Sequence, residues 1–128
     1  MVNAVIFSDI MDHLIGRIGT ALTSTAYASA NVSVQADTSP LQVILRRDGG
    51  TRVSKTITSS VIGVNIFAPT YGDAEGLALL IEAIFDDLAD GNPITYVNVQ
   101  SSVQDVTDLK SQRRFMRFAV DHRGTNLN

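Results

Sequence analysis

Few side chains in this sequence have the type and spacing that chemistry needs. His13 and His122 are the only histidines and there is no cysteine, so neither has the neighbouring His or Cys that would complete a metal set. The lack of cysteine also removes thiol nucleophiles and disulfides, and it fits a reducing compartment. Asp86 and Asp87 occupy successive positions of a predicted helix, where side chains diverge by about 100°, which is poor geometry for a shared acid–base task. No Gly-x-Ser-x-Gly elbow is present. Gly72, Gly76 and Gly91 match neither glycine-rich phosphate-binding pattern. Arg114-Phe115-Met116-Arg117-Phe118 interleaves basic and aromatic residues as single-strand-binding sheets do. Strand alternation, however, sends Phe118 to the core and leaves Phe115 as the one aromatic beside Arg117. We therefore expect no enzyme, no cofactor, no metal and no sequence-specific nucleic-acid binding.

What the chain has instead is charge arranged in blocks. From Asp73 to Asp90 lie Asp73, Glu75, Glu82, Asp86, Asp87 and Asp90 with no basic residue, whereas Lys110 to Arg123 carries Lys110, Arg113, Arg114, Arg117 and Arg123. A third block, Arg46, Arg47, Arg52 and Lys55, surrounds Asp48-Gly49-Gly50. Separated signs of this kind steer one macromolecule against another. The candidate interface residues are Arg46, Arg47, Asp48, Arg52 and Lys55, then Glu82, Asp86 and Asp87, then Arg113, Arg117 and Arg123. The net charge of −3 argues against indiscriminate DNA binding by the whole surface.

These residues must be positioned by helices and strands. Phe7, Ile10, Met11, Leu14, Ile15, Ile18, Ala21 and Leu22 recur at three- and four-residue steps, predicting a helix from Ala4 to Thr23. Gly16 and Gly19 inside it suggest a closely packed backbone. Alternation predicts strands over Ala30–Ala36 and Leu41–Arg47, then a hairpin turn at Asp48-Gly49-Gly50 and a long third strand over Thr51–Phe67. The third strand is polar in its first half and apolar in its second, so 48–58 reads as a protruding arm. Thr70 or Asp73 caps a second helix with an apolar face of Leu77, Leu80, Ile81, Ile84, Phe85 and Leu88, stopped by Gly91-Asn92-Pro93. Strand four covers Ile94–Val103. Strand five, Arg113–Arg123, turns Met116, Phe118 and Val120 inward and Phe115, Arg117, Ala119, Asp121 and Arg123 outward. The expected class is α+β, a single domain over 1–128 of order αβββαββ, with a mainly antiparallel sheet packed by two helices and a polar tail at 124–128.

The length of 128 residues suits one self-sufficient core, in which roughly two-thirds of the unfolded surface is buried. The longest apolar run, Leu77 to Phe85, is broken by Glu82 and falls short of the roughly 20 residues a spanning helix needs, so no membrane partner is expected. The start lacks the basic residues of a signal peptide, which predicts intracellular synthesis.

The layout in which Leu41–Arg47 enters the Asp48-Gly49-Gly50 turn, Val61–Pro69 leads into the Ala74–Asp90 helix, and Arg114–Arg123 closes the chain resembles the tail terminator and tail-completion proteins of long-tailed bacteriophages. The resemblance implies a non-enzymatic virion subunit at the tail–neck junction, assembled in the host cytoplasm. Such subunits form a homo-oligomeric ring, usually a hexamer, that caps the tail tube protein and presents the docking surface for a head-completion or connector protein. DNA then passes through the lumen without sequence-specific binding. A compact chain of this size approximates a sphere about 36 Å across, and six touching spheres enclose a hole about 36 Å wide, enough for a duplex. In such a ring, the acidic second helix or the Asp48-Gly49 arm is expected to meet the basic strand-five face of a neighbour, because a heterologous contact needs two different patches. The arginine cluster of the arm has DNA or the tube protein as other possible partners. A different neck or head–tail connector protein shares the ring logic. An unrelated cytoplasmic α+β enzyme is the rival from another class, and a deep pocket with convergent polar groups would mark it.

Overall fold

In the computed structural model, which describes residues 4–106 and 111–126, alternate residues of four long strands build one core under two helices. The elements are β1 (Val5–Ile6), α1 (Ile10–Leu22), β2 (Asn31–Ser33), β3 (Gln42–Arg52), β4 (Ile57–Ala68), α2 (Tyr71–Asp86), β5 (Ile94–Val106), β6 (Gln112–Arg123) and β7 (Thr125–Asn126). The class is α+β. A five-stranded sheet runs in the order β2-β3-β4-β6-β5, antiparallel except where β2 lies parallel to β3.

Helix α1 begins where Asp9 accepts from the backbone N–H groups of Met11 at 3.0 Å and Asp12 at 3.4 Å, satisfying donors that the first turn leaves free. It covers β2 and β3 and buries Ile10, Leu14, Ile18 and Leu22, spaced four residues apart. Helix α2 begins at Thr70, whose Oγ1 accepts from the Asp73 N–H at 3.2 Å. It lies over β4, β6 and β5 and buries Ala74, Leu77, Ala78, Ile81 and Phe85. The facing strand residues are Val43 and Leu45, Ile62, Val64 and Ile66, and Met116, Phe118 and Val120, all buried. The Phe85 and Phe118 rings stack in parallel with centroids 4.0 Å apart, tying α2 to the centre of the sheet.

Several expectations are corrected. The first helix starts at Ile10, because Asp9 caps it and Val5–Ile6 pairs instead with Thr125–Asn126. Part of the expected 124–128 tail is therefore strand; residues 127 and 128, like Lys110, lie outside the described residues. Among the described residues, a Cβ at Gly16 or Gly19 would meet nothing within 4 Å, so none of them packs its backbone there. The expected 30–36 strand shortens to Asn31–Ser33. Helix α2 ends at Asp86, ahead of Gly91-Asn92-Pro93.

The largest correction concerns the hairpin. Asp48-Gly49-Gly50 is not its turn: the register slips between Arg47 and Gly50, so one extra residue of β3 forms a bulge there. Gly50 has φ +155°, and a Cβ on it would run into the Ser59 carbonyl oxygen, so the bulge requires glycine. Strand β3 continues to Arg52, and the chain reverses over Val53–Thr56, where Ser54 Oγ accepts from the N–H of Ile57 at 3.1 Å. Because β4 is paired with β6 as far as Ile57↔Arg123, only this turn stands beyond the ladders.

Candidate interaction surface

The register places one set of side chains on the sheet face that neither helix covers. Successive rows across β3, β4 and β6 read Gln42–Phe67–Arg113, Ile44–Asn65–Phe115 and Arg46–Gly63–Arg117, and cross-strand neighbours in a row share a face. Of the predicted interface residues, Arg46, Asp48, Arg113 and Arg117 meet here. Gly63 carries no side chain, and the Asp48 carboxylate occupies the space: a Cβ at Gly63 would lie 2.7 Å from Asp48 Oδ2. In that seat Asp48 accepts from Arg46 Nε at 2.6 Å and lies 3.5 Å from Arg117 Nη2. Arg113 donates to Asn65 Oδ1 at 2.7 Å.

Two aromatic rings lie among these cations. The Arg113 guanidinium sits over the Phe67 ring at 5.2 Å, and that of Arg117 over Phe115 at 5.5 Å, within cation–π range. Phe115 is thus not the only aromatic on the face. Asp48 is also held by Arg117 of its own chain, so that part of the expected contact between neighbours is made internally.

The other predicted residues lie elsewhere. Arg52, Lys55 and Arg123 gather at the end of the sheet that carries the β3–β4 turn, while Arg47 stands mid-strand in the row Arg47–Ile62–Phe118. Arg47 donates to Ser60 Oγ at 3.2 Å, and Arg52 lies over the Phe7 ring at 4.6 Å. Glu82 accepts from Ser102 Oγ at 2.8 Å, joining α2 to β5. Asp86 and Asp87 are exposed.

Sequence reading gave no role to two buried polar groups. Ser60 Oγ and His122 Nε2 are 2.9 Å apart, a pairing that resembles half of a nucleophilic triad. Both residues are buried, 3 % and 1 % exposed, and among the described residues no carboxylate bonds His122. Burial and the nearby Arg47 hold the His122 pKa below its usual value, against the opposing pull of Asp121. Arg114 is the second group: its side chain is 2 % exposed, its Nε lies 3.0 Å from both Glu75 and Asp105, and its Nη1 donates to the Arg113 carbonyl at 3.0 Å. Strand period held the signal, since Arg114 shares the inward set with Met116 and Phe118.

Among the described residues no group of three or more His, Cys, Asp or Glu is placed to hold a metal ion, and no helix is long and apolar enough to cross a membrane. No protein-family model matches the sequence, and no curated protein matches it significantly.

Proposed function

We propose that this chain is a structural virion subunit: a one-domain protein that forms a ring, caps the tail tube of a long-tailed bacteriophage, ends its elongation and provides the docking surface for the head. The observation that carries this reading is the helix-free sheet face. Three arginines and two phenylalanines stand there in fixed positions, held by Asp48 and Asn65. Interface cores are enriched in arginine and aromatic residues. Preorganised guanidinium groups also lose little further freedom on association. The α+β layout supports the same reading through its resemblance to tail terminators.

The test is to add the purified protein to tail tube protein during polymerisation and image the products. Tubes that stop growing, with a cap of density at one end, are the expected result. Tubes whose length and ends are unaffected would overturn the terminator assignment, and binding to filled heads alone would assign the chain to the neck.

A further inference from the structure

Among the described residues, the salt bridges separate the cations into two groups. Arg17, Arg46, Arg114 and Arg117 each have a carboxylate within ion-pairing distance. Arg47, Arg52, Lys55, Arg113 and Arg123 have none; Arg113 is held on the open face by Asn65, whereas Arg52, Lys55 and Arg123 stand at the end of the sheet that carries the β3–β4 turn, and Arg47 leans toward that end by donating to Ser60 Oγ. Three of them, Arg47, Arg52 and Lys55, belong to β3 and its turn, along an edge that is open because β2 covers only Gln42–Ile44. Arg47 and Arg52 border a shallow groove with Gly49, Gly50 and the hydroxyl-bearing Thr51, Thr58, Ser59 and Ser60, and no acid lines it.

The C-terminal end of α2 is acidic. One row of the sheet runs Arg52–Thr58–His122–Ile94, so Ile94, where the connection from α2 enters β5, lies about 14 Å across from Arg52, three interstrand spacings away. Asp86, the last residue of α2, and its C-cap Asp87 stand where that connection begins, both exposed, neither within ion-pairing distance of a base among the described residues. They stand at the C-terminal end of α2, whose last turn holds no basic residue. Carboxylates there oppose the helix dipole, and an external cation would relieve the conflict.

We propose that the β3–β4 hairpin end of one copy, through Arg47, Arg52 and Lys55, docks against the α2 C-terminal end of a second copy, through Asp86 and Asp87. Two unlike patches make a head-to-tail contact, which closes into a ring when the rotation between copies allows it. The inference rests on the ring reading above and names the surfaces that meet.

Two pairs of exposed residues test it, Arg52→Glu with Lys55→Glu and Asp86→Lys with Asp87→Lys, together with the variant carrying all four changes. Ring formation is measured by mass photometry at low salt, with circular dichroism confirming the fold of each protein. Each pair alone should weaken assembly at least tenfold, and the four-fold variant, whose patches are again opposite in sign, should recover it. Rings that form equally well from either pair, or a four-fold variant that folds but stays as dissociated as the pairs, would overturn the docking while leaving the ring itself intact. A wild-type chain that forms no ring, alone or on tail tubes, would instead remove the reading on which it rests.

Discussion

The two faces of the five-stranded sheet are drawn from alternate residues of the same strands, yet they are finished differently. On the helix-covered face, Ile62, Val64, Ile66, Met116, Phe118 and Val120 are fully buried, and Arg114, buried among them, is paired with Glu75 and Asp105. On the open face, Arg46, Arg113 and Arg117 lie over Asp48, Asn65 and two phenylalanine rings with solvent beside them. On the ring reading proposed above, the covered phase of β4 and β6 carries stability, while the open phase and the hairpin end are left for association. Changes on the covered face should show first in unfolding, and changes on the open face first in assembly.

Phe118→Ala should break the comparison most severely. It removes one ring of the Phe85–Phe118 stack from the centre of the core and should cost about 3–5 kcal/mol in urea unfolding. A loss below 1 kcal/mol would mean that this face is not where stability resides. Arg114→Ala comes next, at about 2 kcal/mol. It leaves Glu75 and Asp105 without their buried partner, but both carboxylates reach solvent, so the full penalty of an orphaned buried charge does not apply. Arg114→Lys should recover little, since a single ammonium cannot reproduce the contacts of the planar guanidinium.

The covered face should also confer a pH dependence. The pKa values of His13 and His122 are both held below 6.5, chiefly by burial. The unfolded chain therefore binds protons first as pH falls, so the stability contributed by keeping these rings neutral is present above pH 6.5 and is lost as pH drops toward the lowered folded values. Urea midpoints measured from pH 7.5 to 5 should fall, and His122→Gln should flatten the curve. A midpoint that rose on acidification would contradict this sign.

A smaller effect, of opposite direction, is expected at Gly16. Because its Cβ position is empty space, Gly16→Ala should raise stability by about 1 kcal/mol, the ordinary helix-propensity difference. On the open face, Arg117→Ala should change stability by less than about 1 kcal/mol, as expected for a partly exposed ion pair, yet weaken assembly clearly in sizing experiments. An unfolding cost comparable to that of Arg114→Ala would erase the distinction between the faces.

Much of this division was legible in the sequence, because it follows from period. The inward set of β6, the helical spacing of Ile10 to Leu22 and the Thr70 cap are direct consequences of local pattern, as is the outward placement of Phe115 and Arg117. Errors arose where tertiary partners decide. Asp48-Gly49-Gly50 has the composition of a hairpin turn, but the register held by β4 and β6 makes it a bulge and moves the reversal to Val53–Thr56. The seat of Asp48 over Gly63 depends on a cross-strand neighbour fifteen residues away in sequence, which strand alternation alone does not specify. Val5–Ile6 found a partner at the other end of the chain, a pairing for which two residues give no local signal.

The central claim is that the chain builds a ring through surfaces the core does not use, and imaging of the purified protein by negative stain across a concentration series tests it most directly. Open-centred rings whose abundance rises with concentration and falls with salt are expected, together with an Arg117→Glu variant that remains folded but forms fewer of them. Monomers at every concentration, with no rings nucleated by added tail tubes, would contradict that claim.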